Sequence, residues 1–242
     1  MLLKKLRKFS HEETKNSIVK IGPELDFSTS EAYNLLRTNL SFAFPGKTDG
    51  RRIGVTSSAP EEGKSYTAAN LAYSLAKDGQ KVLLIDADMR KPTVAEKLRI
   101  KHTPGLSNQL VDRSGQSFIQ EGVMHENLSV LAAGDIPPNP SEMVGSDEMS
   151  RLLKEYASQY DYVIVDMPPV MEVPDPLIMA KDLDGIVLAV MHERSYRSEI
   201  KESVRKLRFV NARILGFVYN GYTSTTGRKH RKYKRRTKKI KQ

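Results

Sequence analysis

Six short aliphatic runs constrain this chain more than any other feature. They are Ile53-Gly-Val-Thr56, Val82-Leu-Leu-Ile85, Leu128-Ser-Val-Leu131, Tyr162-Val-Ile-Val165, Ile186-Val-Leu-Ala-Val190 and Ile214-Leu-Gly-Phe-Val218. Each has strand length and shows no polar alternation, which is the pattern of a strand buried on both faces. Helical periodicity fills the gaps between them. In 64–78 the residues Ala68, Leu71, Ala72 and Leu75 fall on one stripe, and in 196–209 Ile200, Val204 and Leu207 do. A further helix is expected over 146–159, and one over 31–44 with Ala32, Leu36, Leu40 and Ala43 inward and Ser30 as its cap. Strands alternating with helices predict an α/β fold: a doubly wound, mostly parallel sheet flanked by helices.

Composition narrows the functional classes. With 242 residues, 39% hydrophobic and 28% charged, the chain is long enough for a full core and too apolar for a disordered one. No apolar run approaches the ~20 residues of a membrane helix. The start, Met1-Leu-Leu-Lys-Lys-Leu-Arg-Lys-Phe9, lacks the apolar core of a secretory signal. The absence of cysteine excludes a disulfide scaffold, a thiol nucleophile and a thiolate metal site, and it fits a cytoplasmic protein. The net charge of +10 sits in the last stretch, where residues 228–241 hold ten Lys or Arg. The remaining 29 basic residues balance 29 acidic ones, which argues against a body-wide nucleic-acid surface. Three segments are expected: a basic leader over 1–30 that serves as a docking segment, a body over 31–221, and a flexible basic tail over 222–242.

The first chemical motif is Gly54-Val-Thr-Ser-Ser-Ala-Pro-Glu-Glu-Gly-Lys-Ser65. A buried strand runs into a loop that ends Gly-Lys-Ser where a helix begins. This is the phosphate-loop layout, in which main-chain N–H groups and the helix N-terminus surround phosphate oxygens. The loop residues Ser58, Ala59, Pro60, Glu61, Glu62, Gly63, Lys64, Ser65 and Tyr66 are therefore candidate nucleotide contacts. Lys64 supplies a point charge and the Ser65 hydroxyl reaches Mg²⁺. Ser58 stands where the pattern usually has its first glycine. The second motif, Val82-Leu-Leu-Ile-Asp-Ala-Asp-Met-Arg90, ends a strand in Asp86 and Asp88, which the pleat sends to one side. The third, Tyr162-Val-Ile-Val-Asp166, ends a strand in a single carboxylate. Strand ends of this kind line the ligand crevice of open α/β sheets. Together they imply a P-loop nucleotide-binding fold using ATP and Mg²⁺.

These residues resemble the bacterial tyrosine kinases, cytoplasmic autokinases tied to capsular and exopolysaccharide synthesis. The likeness spans roughly 28–222 and rests on Asp86-x-Asp88-x-Arg90, on Glu31-Ala-Tyr-Asn-Leu-Leu-Arg37, and on a rigid loop, Gly134-Asp-Ile-Pro-Pro-Asn-Pro-Ser-Glu142. It implies that Lys64 and Ser65 bind nucleotide and Mg²⁺, that Asp86 and Asp166 hold the metal shell, and that Asp88 is a base or metal ligand. It places Asn220 at the adenine, and Glu31, Arg37 and Arg90 at a ring interface between subunits. It also implies tail tyrosines as phospho-acceptors, here Tyr233 and Tyr222, and a transmembrane polysaccharide co-polymerase-type adaptor that recruits the kinase to the inner face of the plasma membrane.

Two departures from the family matter. Its first-helix motif is Glu-x-x-Arg-x-x-Arg, and position 34 here is Asn. Residues 31, 34 and 37 share one stripe, expected opposite the apolar face, and Asn34 cannot form a bidentate ion pair, so ring assembly is expected to be weaker. The tail tyrosines are sparse, and Tyr233 lies between Lys232 and Lys234. Ten bases at an anionic membrane surface are worth ~1 kcal/mol each, and Leu2, Leu3, Leu6 and Phe9 give the leader an interfacial character. The alternatives are a partitioning or cell-division-site ATPase switch that binds membrane or DNA, and an ATP-binding scaffold that does not phosphorylate itself. The switch proteins carry a signature lysine where this chain has Ala59, and they generally lack the second motif.

Overall fold

The computed structural model describes residues 20–222. Helix α1 (Phe27–Phe42) precedes β1 (Arg51–Ser57), α2 (Lys64–Lys77), β2 (Val82–Asp86), α3 (Val94–Leu98) and α4 (Leu106–Val111). Then come β3 (Leu128–Leu131), α5 (Pro140–Val144), α6 (Asp147–Gln159), β4 (Tyr162–Asp166) and α7 (Asp175–Met179). β5 (Gly185–Met191), α8 (Arg197–Phe209) and β6 (Ile214–Asn220) complete the order. The six strands form one sheet in the order β3-β2-β4-β1-β5-β6, and every neighbouring pair is parallel.

The expected strands are all present, and their register aligns the chemical motifs. Asp86 pairs with Asp166 across β2 and β4, and Val55 of β1 pairs with Asp166 on the other side. Two apolar layers sandwich the sheet. On one face α1 and α2 pack over Ile53, Val55, Leu84 and Ile164. On the other α6 and α8 contribute Leu153, Tyr156 and Leu207 over Leu83, Val163 and Leu188. Ala68, Leu71, Ala72 and Leu75 are all buried, as their spacing predicts.

Several local expectations are corrected. Helix α1 begins at Phe27 because Asp26 caps it, its carboxylate accepting Thr29 N at 3.0 Å; Ser30 lies inside the helix. Its buried stripe runs through Tyr33 and Leu40, whereas Ala32 is exposed. The inward position at this end of the helix goes to the larger ring of Tyr33. The segment ahead of it also joins the body. Ile21 and Gly22 are buried, and Gly22 N donates to Asn70 Oδ1 at 2.8 Å. Strand β6 is not buried on both faces: it is the sheet edge, and Phe217 and Tyr219 are exposed. The loop expected over 134–142 turns into helix α5 at Pro140, whose missing N–H is harmless in a first turn.

Far from the strand C-termini, Asp184 ties β5 to β1. It accepts Arg52 N at 2.8 Å and Arg52 Nη2 at 3.2 Å, and it pairs with Lys47. Burial raises its pKa, but the Arg52 and Lys47 donors outweigh that and hold it below the usual carboxylate range. Replacing Asp184 with Ala is expected to cost about 1–3 kcal/mol in urea unfolding. A depressed folded pKa means that this contribution is complete above about pH 4 and fades as acid carries the pH through the folded value. Parent and variant stabilities should therefore converge in acid.

Candidate active site

The site forms where β1, β2 and β4 end. The chain leaves β1 at Ser57, and the Ser57 hydroxyl donates to Ala59 O at 2.7 Å, bending the loop back on itself. Gly63 precedes α2 in a left-handed conformation, φ 87°. That backbone favours glycine, and a Cβ there would also lie 2.6 Å from Asn220 Nδ2 and push that amide aside. The next amides open α2 and have no intrahelical acceptor, which leaves them and the helix dipole for an anion.

Lys64 lies at the centre. Its Nζ is 2.8 Å from Asp88 Oδ2, 3.5 Å from Asp166 Oδ1 and 3.3 Å from the Ser65 hydroxyl. Burial works against its ammonium, but the Asp166 and Asp88 carboxylates outweigh that and raise its pKa. Asp166 is fully buried, and neither of its oxygens has a hydrogen-bond partner among the described residues. Burial drives its pKa up despite Lys64. Asp86 is also fully buried, and burial together with the Asp166 charge pushes it up to about 7.

The two carboxylates of the second motif do different work. Asp86 Oδ2 accepts Thr93 N at 3.2 Å and Val94 N at 3.1 Å, and Oδ1 accepts Asp88 N at 3.1 Å. It holds the start of α3 against the site. Asp88 carries the direct contact with Lys64. Sequence reasoning missed Thr93, whose hydroxyl donates to the Ser65 hydroxyl at 3.1 Å. It also missed Lys97, whose Nζ lies 5.5 Å from the Tyr66 ring centroid beside the phosphate loop. Neither has a motif to mark it; α3 brings both in.

Asn220 meets the phosphate loop. Its Nδ2 donates to Glu62 O and to the Thr67 hydroxyl, each at 3.1 Å. Tyr222 is exposed and lies edge-on to His192, with ring centroids 5.5 Å apart. Tyr233 is outside the described residues. Arg90 is engaged within its own chain: Nε is 3.0 Å from Asp175 Oδ2 and Nη2 is 2.7 Å from the Ser141 hydroxyl. The stripe 31, 34 and 37 is not solvated throughout. Glu31 is exposed, but Arg37 donates to Ser74 O at 3.1 Å and pairs with Asp78 at 3.1 Å. Asn34 bridges Glu31 and the Ser74 hydroxyl. Their side chains reach α2 because α1 packs along it.

The donors suit a magnesium nucleotide. Asp166 is an orphaned buried carboxylate beside a hydroxyl, Ser65, and an anion-binding helix start. Among the described residues no group of three or more His, Asp or Glu could enclose a metal by itself. Mg²⁺ characteristically takes one or two carboxylates and draws its other ligands from phosphate and water.

Comparisons agree with this geometry. Residues 52–197 match the family model described as an AAA domain. Tyrosine-protein kinase YwqD of Bacillus subtilis (strain 168) is 38% identical over 79% of this chain and 81% of its own length. Tyrosine-protein kinase Etk of Escherichia coli (strain K12) is 31% identical over 80% of this chain, which spans 27% of that longer protein. The solved kinase domain of the Escherichia coli protein superposes with a TM-score of 0.76 at 31% identity, covering 81% of this chain and 76% of that one.

Asp166→Asn removes one charge from three carboxylates that share one ammonium. The expected outcome is a higher melting temperature without nucleotide, about 2 °C or more. Magnesium-dependent turnover should fall about 10–100-fold. Calorimetry and a kinase assay check the two halves.

Proposed function

Since this chain belongs to the bacterial tyrosine kinases, we propose that it transfers the ATP γ-phosphoryl group to tyrosines of a second copy of itself. The observation that carries this reading is Lys64 held between Asp88 and Asp166 at the start of α2. In the transfer, the acceptor oxygen bonds to the γ-phosphorus and the bond from that phosphorus to the β–γ bridging oxygen breaks, releasing ADP. The tyrosine proton passes to a carboxylate, and Asp88 is the one near the surface of the cluster. While nucleotide is absent, Lys64 and Asp88 neutralise each other. A polyphosphate competes for the ammonium, and its engagement frees Asp88 to accept the proton. Bound Mg²⁺ would offset phosphate charge, held by the Ser65 hydroxyl with Asp166 and Asp86 around it.

Tyr222 and Tyr233 are the proposed acceptors. Tyr222 leaves the edge strand beside the phosphate loop, and Tyr233 sits among tail bases. Because Asn34 and Arg37 are engaged with α2, ring assembly through α1 relies on Glu31 and on contacts elsewhere. The basic tail binds an anionic membrane surface, and phosphorylating Tyr233 adds about −1.5 to −2 charge that loosens it. No helix among the described residues is long and apolar enough to cross a membrane. A transmembrane adaptor of the co-polymerase type supplies the anchor, and the cycle regulates capsular or exopolysaccharide synthesis.

Phosphotyrosine formation on the purified protein with Mg·ATP, with and without an adaptor's cytosolic peptide, tests the reading. Lys64→Ala should lower labelling by roughly 10²-fold or more. Asp88→Asn should lower it strongly, and Tyr233→Phe in part. ATP binding with no label under any condition would overturn self-phosphorylation. Sedimentation with phosphatidylserine vesicles should fall steeply with salt and fall again after phosphorylation.

A further inference from the structure

Glu62 is an anomaly for a phosphate site. It is a carboxylate in the middle of the anion-binding loop, 0% exposed, and it is not paired with an ammonium or guanidinium among the described residues. Burying an anion without a counter-ion is costly unless hydrogen bonds replace its water. Here they do. Oε2 accepts Ser58 N at 2.8 Å and Ala59 N at 3.0 Å. Oε1 accepts the Ser195 hydroxyl, which in turn accepts Met191 N at 2.8 Å. The main-chain carbonyl of Glu62 accepts Asn220 Nδ2 at 3.1 Å.

We infer that Glu62 is a positioning residue that shapes the phosphate loop by tying it to the ends of β5 and β6. The carboxylate occupies the amides of Ser58 and Ala59, which turns the first half of the loop inward. The amides that open α2 are left to converge on phosphate. The same side chain continues through Ser195 to Met191, the last residue of β5, and the carbonyl reaches the last residue of β6. A second tie runs alongside, from Arg194 to Glu61. The tied segments also hold two non-glycine residues in the left-handed region, Glu61 at φ 61° and Glu193 at φ 57°. Such backbones persist only where surrounding contacts over-determine them. The position that carries a signature lysine in the switch ATPases is Ala59 here, and its amide is one of the two that Glu62 holds. The nucleotide loop is therefore sensitive to a segment, 191–196, that need never touch nucleotide.

The inference rests on nucleotide binding at this loop and not on self-phosphorylation. Its test is titration of the full chain with a fluorescent ADP analogue and Mg²⁺, which needs no tyrosine transfer. Glu62→Ala is expected to raise Kd at least about tenfold. Glu62→Gln should stay within about threefold, because one amide oxygen can still accept both main-chain N–H groups while its NH₂ meets the Ser195 hydroxyl. Ser195→Ala should weaken binding several-fold, and the double variant Glu62→Ala/Ser195→Ala should match Glu62→Ala alone. A merely stabilising role would lower the melting temperature and leave Kd of the folded protein unchanged, and that result would overturn the inference. So would a Glu62→Gln loss equal to that of Glu62→Ala, because charge would then be the active property. Multiplying effects of Glu62→Ala and Ser195→Ala would overturn it too. If Glu62→Ala does not fold, Ser195→Ala decides: weaker binding supports the clamp and parental binding refutes it.

Discussion

The register of β2 against β4 places Asp86 directly beside Asp166, and both are fully buried. Two carboxylates at adjacent strand ends repel each other in a low dielectric and cannot both ionise cheaply. Everything around them follows from that constraint. Lys64 turns into the cluster, Asp88 completes its shell, and Asp86 gives one oxygen to the amides that start α3 and the other to the Asp88 amide. Among the described residues Asp166 makes no hydrogen bond, and the Lys64 ammonium lies 3.5 Å from one of its oxygens. Three carboxylates around one ammonium crowd like charges into one buried point, and burial pushes Asp86 and Asp166 towards their neutral forms. The cluster is a destabilising feature of the fold, as active sites often are.

The phosphate loop is held as much from outside as from within. Its glycine suits a left-handed turn and lies against Asn220, a residue of the edge strand. Its carboxylate is satisfied by a hydroxyl beyond β5. The ends of β5 and β6 on the far side of β1 therefore hold the loop in place. This links catalytic geometry to an edge of the molecule that carries Phe217, Tyr219 and Tyr222 exposed.

Much of this was legible in the residues. The aliphatic runs became strands because burial on both faces leaves no place for alternation, and their ends carried the carboxylates of the site. Helix α2 was legible for the same reason, since its inward stripe has no competitor. Helix α1 was less so. Ala32 and Tyr33 are successive residues about 100° apart around the helix, and the interior fell on the side of the larger ring. The stripe of Glu31, Asn34 and Arg37 looked solvent-facing, yet polar side chains can face a neighbouring helix when carbonyls and carboxylates await them there, as Ser74 and Asp78 do. Strand β6 had the residues of a buried strand but the position of an edge. Glu62 gave no sign of its distant partners, Ser195 and Asn220, because they lie more than a hundred residues away in sequence.

By itself the sequence determined the class of fold, the phosphate loop, the strand-end carboxylates and the basic tail. These are local properties, written in periodicity and in short motifs. Tertiary structure alone decided which carboxylate comes closest to Lys64, which one holds the start of a helix, and which one makes no hydrogen bond among the described residues. It also decided that Arg90 is engaged by Asp175 and that the Glu62 carboxylate joins two loop amides to Ser195. The physical reason is that the cost of a buried charge depends on which groups the fold brings within hydrogen-bond distance, and strand order and register set those groups, not the neighbours along the chain.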